Sequence, residues 1–314
     1  MHNKTREFCL CVLNYRKLYI SFGCFGDMTT QEEIILRMIK LGLVLDYSGS
    51  QSEGTAGNVP AGDAKAQYDL LAQVAGKLHL PSSVNSRSPT VKTDIEGIRA
   101  VAKDVGLEVI VGAHDILDLN DTDSAVLMQQ LYTAGARFFI APAGFTPGTT
   151  DVDRKYYAGA VLVGGSTSLE GWREQHQIGA DLVIFPGANL RPDDLGTYWP
   201  LLHRRVPMGI SGPIVPEELR KATAAQLDTR IFELQQAIQP YINGGALFIL
   251  NGWPIKQRDL KESTNRCRLY LDAIQRARSD APSPVKEMYA AIATSTSLRQ
   301  VADQLDGTPT PLKF

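Results

Sequence analysis

The stretch Ala158–Asn189, AGAVLVGGSTSLEGWREQHQIGADLVIFPGAN, predicts a strand, a helix and a second strand in that order. Its two apolar runs, AVLVGG and ADLVIFPG, do not alternate with polar residues, which is typical of parallel strands buried on both faces. The segment between them opens on Ser168, a good helix N-cap, and closes on Gly179. The stretch therefore predicts a parallel strand–helix–strand unit.

The same unit recurs along most of the chain, which contains eight apolar runs that are each followed by a helix-length segment. Eight such units predict a (β/α)8 barrel, or TIM barrel, an α/β fold that 314 residues can complete as one large domain. No Gly-x-Gly-x-x-Gly follows the first strand, which argues against a dinucleotide-binding sheet. We expect a poorly ordered N-terminal extension over residues 1–27, the barrel over 28–280, and a C-terminal helix and tail over 281–314.

Three local patterns give expectations that a structure can check. The text TTQEE (29–33) offers either threonine as the cap of a helix over about 30–41, with either glutamate completing a capping box. The text KLHLPSSVN (77–85) predicts the second strand, with His79 as a buried, hydrogen-bonded residue in its middle. Residues 216–240 predict one long helix, with Pro216 in its first turn and Pro240 at its end. A last helix is expected over about 285–305.

The composition argues against several classes of partner. A formal charge of −2 gives no general attraction to nucleic acid or to an anionic membrane. No apolar run reaches the roughly 18 residues of a membrane helix. The four cysteines lack the spacing of a zinc site and are typical of a reduced protein. We therefore expect a cytoplasmic protein with a small-molecule substrate and no nucleic-acid or membrane partner.

Two predicted strands end in ionisable side chains. Asp46 ends the first strand, and His114 and Asp115 end the third. Reactive groups of barrel enzymes lie at the carboxyl ends of the strands, and inward side chains of alternate strands can share a layer. A carboxylate beside an imidazole can tune it as a general base. The same three residues could instead bind a divalent metal ion, Mg²⁺ or Mn²⁺, that polarises a keto acid. The simpler alternative is that His114 caps a helix and Asp46 bonds a loop amide.

Other residues at strand ends suit substrate binding. Hydroxyl and amide groups can hold carboxylate or phosphate oxygens, with help from the backbone amides at the start of the Ser168 helix. Arginine can supply a counter-charge, and Trp253 with Tyr47 can wall a pocket for an apolar or planar ligand. The same residues also suit simpler roles as helix caps, surface arginines or packed aromatics. The predicted substrate-binding residues are Arg87, Ser166, Thr167, Asn189, Ser211, Asn251 and Trp253.

Four pieces of text in order, IRAVAKDVGLEVIVGAHDIL, AGARFFIAPAGFTP, VLVGGSTSLEGWREQHQIGADLVIFPGANL and VPMGISGPIVPEEL, carry a family resemblance. Over about residues 83–219 the chain resembles the 2-keto-3-deoxy-6-phosphogluconate / 4-hydroxy-2-oxoglutarate aldolases. The resemblance implies a TIM barrel of the aldolase superfamily, lyase chemistry on a small keto acid, and a homo-oligomer. Family positions for a general-base glutamate, a threonine and an arginine correspond to Ser83, Asp115 and Arg87.

The family's catalytic lysine is missing at the corresponding position. That lysine forms a Schiff base with the keto group, and it precedes the proline of an FPA motif by three residues. Three residues before Pro186 the chain has Val183. We therefore expect an aldolase-like enzyme that works by acid–base or metal-assisted chemistry, as a lyase or isomerase. Two alternatives stay open: an inactive barrel that binds a metabolite or a partner, and a barrel of specialised metabolism with an apolar ligand.

Overall fold

The computed structural model describes residues 30–47, 64–116, 122–143, 160–168, 171, 175, 180–186, 208–212, 215–222, 224–227, 229–255, 259–283 and 285–301. Eight parallel strands pair in chain order and close on each other, because the first strand pairs with both the second and the eighth. The predicted (β/α)8 barrel is confirmed. The strands are β1 Leu43–Tyr47, β2 Ser82–Asn85, β3 Val111–His114, β4 Phe138–Ala143, β5 Val161–Gly165, β6 Leu182–Pro186, β7 Met208–Ser211 and β8 Phe248–Asn251.

Helices precede, separate and follow the strands. They are α1 Gln31–Leu41, α2 Ala64–Leu78, α3 Val91–Asp104, α4 Thr122–Ala134, α5 Glu217–Arg220, α6 Ala224–Leu227, α7 Ile231–Asn243, α8 Leu260–Ser279 and α9 Val285–Thr294, with a 3-10 turn at Trp253–Ile255. The predicted Ser168 helix is described only at Gly171 and Gln175, both helical. The extension 1–27 and the helices predicted within 146–157 and 191–205 lie outside the described residues. No helix in the described ranges combines the length and apolar character that crossing a membrane requires.

The amino-terminal end of the barrel is covered and packed. Helix α1 contacts both β5 and β8, and Gln31 Nε2 donates a 2.5 Å hydrogen bond to the carbonyl oxygen of Ala160, just before β5. Inside this end, the ring of Phe138 occupies space beside Gly112, where an added Cβ would come within 2.4 Å of it. Phe248 lies over Gly209 in the same way. We therefore expect the polar groups that meet a ligand to lie at the carboxyl ends of the strands.

The capping box at the start of α1 is confirmed, with Thr30 and Glu33 as its members. The Thr30 hydroxyl accepts a 3.2 Å hydrogen bond from the Glu33 amide, and the Glu33 carboxylate accepts a 2.7 Å bond from the Thr30 amide. We expect Thr30→Ala to lower the free energy of unfolding by about 1 kcal/mol, because the Glu33 amide at the helix start loses its side-chain acceptor. Urea unfolding would measure this, with Thr133→Ala as the control, since Thr133 is exposed within α4. Equal effects of the two substitutions would contradict the prediction.

Three local predictions are wrong at their boundaries. His79 is not within a strand: it follows α2 with φ 55°, in a helix-ending turn where the Leu80 amide bonds the Ala75 carbonyl, and a left-handed residue completes that turn. Burial is the main cause that lowers the pKa of His79.

The long helix expected over 216–240 is divided among α5, α6 and α7. One break follows α6, where the Thr229 hydroxyl donates a hydrogen bond to the Gln226 carbonyl. The last helix, expected over about 285–305, is interrupted: α9 ends at Thr294, and residues 298–301 are helical again.

Candidate active site

Asp46, Ser83 and His114 share the inner face of the barrel. The Tyr47 hydroxyl donates a 2.5 Å hydrogen bond to Gln67 of α2, so Tyr47 faces the outer helices. Because side chains alternate along a strand, Asp46 points inward. The strand register places Ser83 beside Asp46, and the neighbour of Ser83 on β3 lies two residues before His114. The three side chains therefore meet inside the barrel near the carboxyl ends of β1, β2 and β3.

The three side chains form a chain of polar contacts with the imidazole in the middle. His114 Nε2 lies 3.2 Å from Asp46 Oδ1, and His114 Nδ1 lies 3.0 Å from the hydroxyl oxygen of Ser83. An ionised carboxylate only accepts hydrogen bonds, so the arrangement suits a proton on Nε2 and a Ser83 hydroxyl that donates to Nδ1. Both ring nitrogens thus face protein groups.

Only the Asp46 end of this chain reaches solvent. Ser83 is fully buried, the His114 side chain is 8% exposed, and that of Asp46 is 30% exposed. Asp46 Oδ1 is itself buried, and no hydrogen bond of good geometry from the described residues reaches it. The exposed polar atom of the carboxylate is therefore Oδ2. A molecule that enters the barrel mouth would meet Asp46 first, with His114 behind it.

Asp115 belongs to a neighbouring group rather than to the Asp46–His114 pair. Its Oδ2 accepts a 3.3 Å hydrogen bond from Asn85 and lies 3.9 Å from Arg87 Nε. The backbone of Asp115 is left-handed, with φ 57°, and its carbonyl accepts a 2.7 Å bond from the Ser86 hydroxyl. Asp115 and Arg87 are both substantially exposed, at 36% and 57% of their side-chain surface. These residues line the rim beside β2 and β3.

The hydroxyls predicted to bind substrate lie in different surroundings. Ser211 is half-buried and pairs with Leu250, which belongs to the inner face, so it points into the barrel. The Ser166 hydroxyl donates a 2.7 Å bond to the Ser168 carbonyl and accepts one from the Ser168 amide, which closes a turn after β5. Thr167 is exposed. Asn189 lies outside the described residues.

Asn251 and Trp253 lie behind β8 rather than inside the barrel. Asn251 donates a 2.9 Å hydrogen bond to the Gly212 carbonyl and accepts one of 2.8 Å from the Trp253 amide. The indole of Trp253 is buried against α8, 4.8 Å from the Arg266 guanidinium and 6.3 Å from the Tyr270 ring. Tyr47, the other aromatic expected to wall a pocket, also faces outward. Burial is the main cause that raises its pKa.

Residue 183 does not face the barrel interior. Pro186 pairs with the inward Ser211, so alternation places Ile184 inside and Val183 outside, toward the helices. A lysine at 183 would therefore not enter the mouth. The inward positions of β6 are Leu182, Ile184 and Pro186, and none of the eight described strands contains a lysine.

The side chains described at the mouth also indicate how a metal ion could be bound there. In the part of the chain that the structure describes, no three His, Cys, Asp or Glu side chains come together as a ligand set. Asp46 and His114 supply one carboxylate and one imidazole, and Asp115 is engaged with Asn85. A divalent ion at the pair would take its other ligands from water or substrate.

Ser83 and Asn85 were not among the predicted site residues, although both contact predicted ones. The text SSVN does carry a signal, because polar residues at alternate positions of a barrel strand share one face. Ser83 is the group that fixes the imidazole at Nδ1.

Comparisons with known proteins establish the fold alone. No family model matches the chain, and no curated protein matches it significantly. Similar solved structures include native KDPGal aldolase (TM-score 0.51, 13% identity, covering 75% of this chain and 95% of that one). Mandelate oxidase with (S)-2-phenylpropionate gives TM-score 0.52 at 12% identity, covering 76% and 74%. A GH99 endo-alpha-mannosidase from a Bacteroides species gives TM-score 0.50 at 10% identity, covering 77% and 99%. These TIM-barrel proteins catalyse different reactions, so the likeness carries no specific activity.

Proposed function

We propose that the protein is an enzyme that moves a proton on a small carbonyl compound, as a lyase or isomerase, with Asp46 as the general base and acid. The observation that carries the proposal is the contact chain Asp46–His114–Ser83 inside the barrel, open to the mouth only at Asp46. Catalytic groups of TIM barrels lie at this end of the strands.

We assign a different role to each member of the chain. The exposed Oδ2 of Asp46 takes the proton from the carbon next to the carbonyl group and returns it to the product. His114 positions the carboxylate and stabilises its charge through Nε2, 3.2 Å from Oδ1. Ser83 keeps the imidazole in one orientation and tautomer through Nδ1. This assignment makes Asp46, rather than His114, the residue that meets the substrate.

The negative charge that develops on the carbonyl oxygen needs a partner, because no lysine lies on the described strands. The Ser211 hydroxyl faces the same interior, and Arg87 lies on the rim. We propose that hydrogen-bond donors such as Ser211 and Arg87 stabilise the charge on the carbonyl oxygen. A divalent ion held by Asp46 and His114 would supply Lewis acidity at the same place.

The direct test is solvent exchange of the proton next to the carbonyl group. The protein would be incubated in D₂O with pyruvate, 2-oxobutyrate, dihydroxyacetone, glyceraldehyde and their phosphates where these exist, and the substrate proton signals followed by NMR. Runs with EDTA and with added Mg²⁺ or Mn²⁺ would distinguish the metal-assisted form. Exchange on at least one compound, lost in Asp46→Asn, supports the proposal. Absence of exchange on every compound would contradict it and favour a ligand-binding barrel without activity.

Borohydride trapping gives a separate prediction about mechanism. We expect no covalent adduct when the protein is reduced with borohydride in the presence of pyruvate. A lysine that points into the barrel is required to form the Schiff base, and none of the described strands contains a lysine. Intact-protein mass spectrometry would measure this, with an established Schiff-base aldolase as the positive control. A mass increase that matches reduced pyruvate on a lysine would contradict the lysine-free mechanism.

A further inference from the structure

A fully buried carboxylate lies behind the mouth, between α2 and α3. Asp94 accepts a 2.6 Å hydrogen bond from the Tyr68 hydroxyl and a 2.9 Å bond from the Thr90 hydroxyl. Its own amide bonds the Thr90 carbonyl at 2.7 Å. Tyr68 can lie against α3 because residue 97 is glycine, where an added Cβ would come within 2.4 Å of the tyrosine ring.

This buried carboxylate is connected to the loop between β2 and α3, residues 86–90. The Thr90 hydroxyl lies 3.0 Å from the Ser88 hydroxyl, and the Ser88 amide donates a 3.1 Å bond to the Asn85 carbonyl. The connection therefore runs from Asp94 through two hydroxyls to the end of β2. Since Asp94 is fully buried and Ser88 is 5% exposed, water competes little for these bonds.

The same loop holds the residues that follow β3. The Ser86 amide donates a 2.9 Å hydrogen bond to the His114 carbonyl, and the Ser86 hydroxyl bonds the Asp115 carbonyl at 2.7 Å. The Arg87 amide donates a 2.8 Å bond to the Asn85 side chain. A shift of this loop would therefore move the backbone of His114, the left-handed Asp115 and the base of Arg87 together.

We propose that Asp94, with the hydroxyls of Tyr68 and Thr90, is a positioning residue that fixes loop 86–90 and thereby sets the place of His114 and Asp115 at the mouth. The inference rests on the proposed function only for its effect on rate, since the placement itself can be measured without any activity. Asp94 lies on α3 rather than on a strand of the barrel. Its effect travels through the loop bonds, and side chains held by such supporting bonds keep the narrow geometry that catalysis requires.

The test compares two Tyr→Phe substitutions that each remove one buried hydroxyl. Tyr68→Phe keeps the ring against Gly97 and removes the bond to Asp94. Tyr289→Phe is the matched control at the other end of the barrel, where its hydroxyl bonds the carbonyls of Ile242 and Ala246 at 2.9 Å. Amide hydrogen exchange of Ser86 and the imidazole nitrogen signals of His114 would be measured by NMR in both variants.

We expect Tyr68→Phe to raise native-state exchange of the Ser86 amide roughly 5–30-fold, the factor that corresponds to one buried hydrogen bond. The His114 signals should shift in Tyr68→Phe alone, and Tyr289→Phe should leave both readouts as in the wild type. Unchanged readouts in Tyr68→Phe, or equal changes in both variants, would overturn the positioning role. If the wild type shows no proton exchange on any carbonyl compound, the proposed function fails while these NMR readouts still decide the inference.

Discussion

Asp46→Asn is expected to lower the rate of carbonyl α-proton exchange by about 10²–10⁴-fold, the range that a positioned general acid–base group contributes. The amide is isosteric with the carboxylate, so the fold and the packing around β1 should persist. It cannot take a proton at pH 7, and that is the step assigned to Oδ2. Measured rates in D₂O on the compound that the wild type exchanges fastest would give the ratio.

Substitutions along the contact chain should have graded effects. His114→Gln removes the group beside Oδ1 but leaves the base in place, so its effect should be smaller than that of Asp46→Asn. Ser83→Ala removes only the bond to Nδ1 and should lower the rate about fivefold, since one hydrogen bond contributes about 1 kcal/mol. Asp104→Asn, the same chemical change at the exposed end of α3, is the control that should keep the wild-type rate.

Two outcomes would contradict this order. If His114→Gln abolished exchange while Asp46→Asn retained most of it, the imidazole would be the base and would have to turn away from Asp46 in the complex. If all three substitutions retained the wild-type rate, the chemistry would lie elsewhere in the barrel. Circular dichroism and thermal unfolding of each variant would show that lost activity does not come from lost structure.

The sequence predicts the barrel well because parallel strands that are buried on both faces consist of unbroken runs of apolar residues. Such runs give most of the strands, including β5 and β6 of the opening stretch, whereas β2 has the mostly polar text SSVN. Boundaries are less well determined, since they depend on local hydrogen bonds that composition does not encode. His79 takes a left-handed turn at the end of α2, and a hydrogen bond from the Thr229 hydroxyl to the Gln226 carbonyl accompanies the break after α6.

The site is predicted only in part, because position along a strand does not specify which way a side chain points. Asp46 and His114 were expected near each other from strand order, and the structure places them 3.2 Å apart. Asn251 and Trp253 also end a strand, but the register of β8 against β1 turns Asn251 outward, beside Leu45. A one-residue change in register reverses every side chain, so this distinction requires the pairing itself.

Arg278→Met is expected to be among the most destabilising single substitutions in the described part of the chain, lowering the free energy of unfolding by about 3–5 kcal/mol. Arg278 is buried and donates three hydrogen bonds of 2.7–2.8 Å to the carbonyls of Ile39, Lys40 and Leu247. Two of these carbonyls end α1 and the third precedes β8. One guanidinium therefore joins α8 to the helix that covers the barrel and to the eighth strand.

The energetic balance at Arg278 differs from that of a buried ion pair. Burial lowers the pKa of Arg278 to about 10, so the charge is disfavoured there, although the group remains protonated at pH 7. When an apolar residue replaces both members of an ion pair, the cost of burying charge disappears. Here the partners are backbone carbonyls, which no side-chain substitution removes. Methionine restores volume beside the Tyr289 ring but leaves all three carbonyls without a donor.

Urea unfolding at pH 7 would measure the effect, with Arg276→Met as the control because Arg276 lies in the same last turn of α8 and is exposed. Arg276→Met should change stability by less than about 0.5 kcal/mol, as is usual for surface substitutions. Arg278→Lys should fall between the two, because a single ammonium cannot reproduce the planar spread of the guanidinium. An equal change in the free energy of unfolding for Arg278→Met and Arg276→Met would contradict the prediction. The three carbonyls would then have to bind water in the Arg278→Met variant, and α1 would loosen from the end of the barrel that it covers.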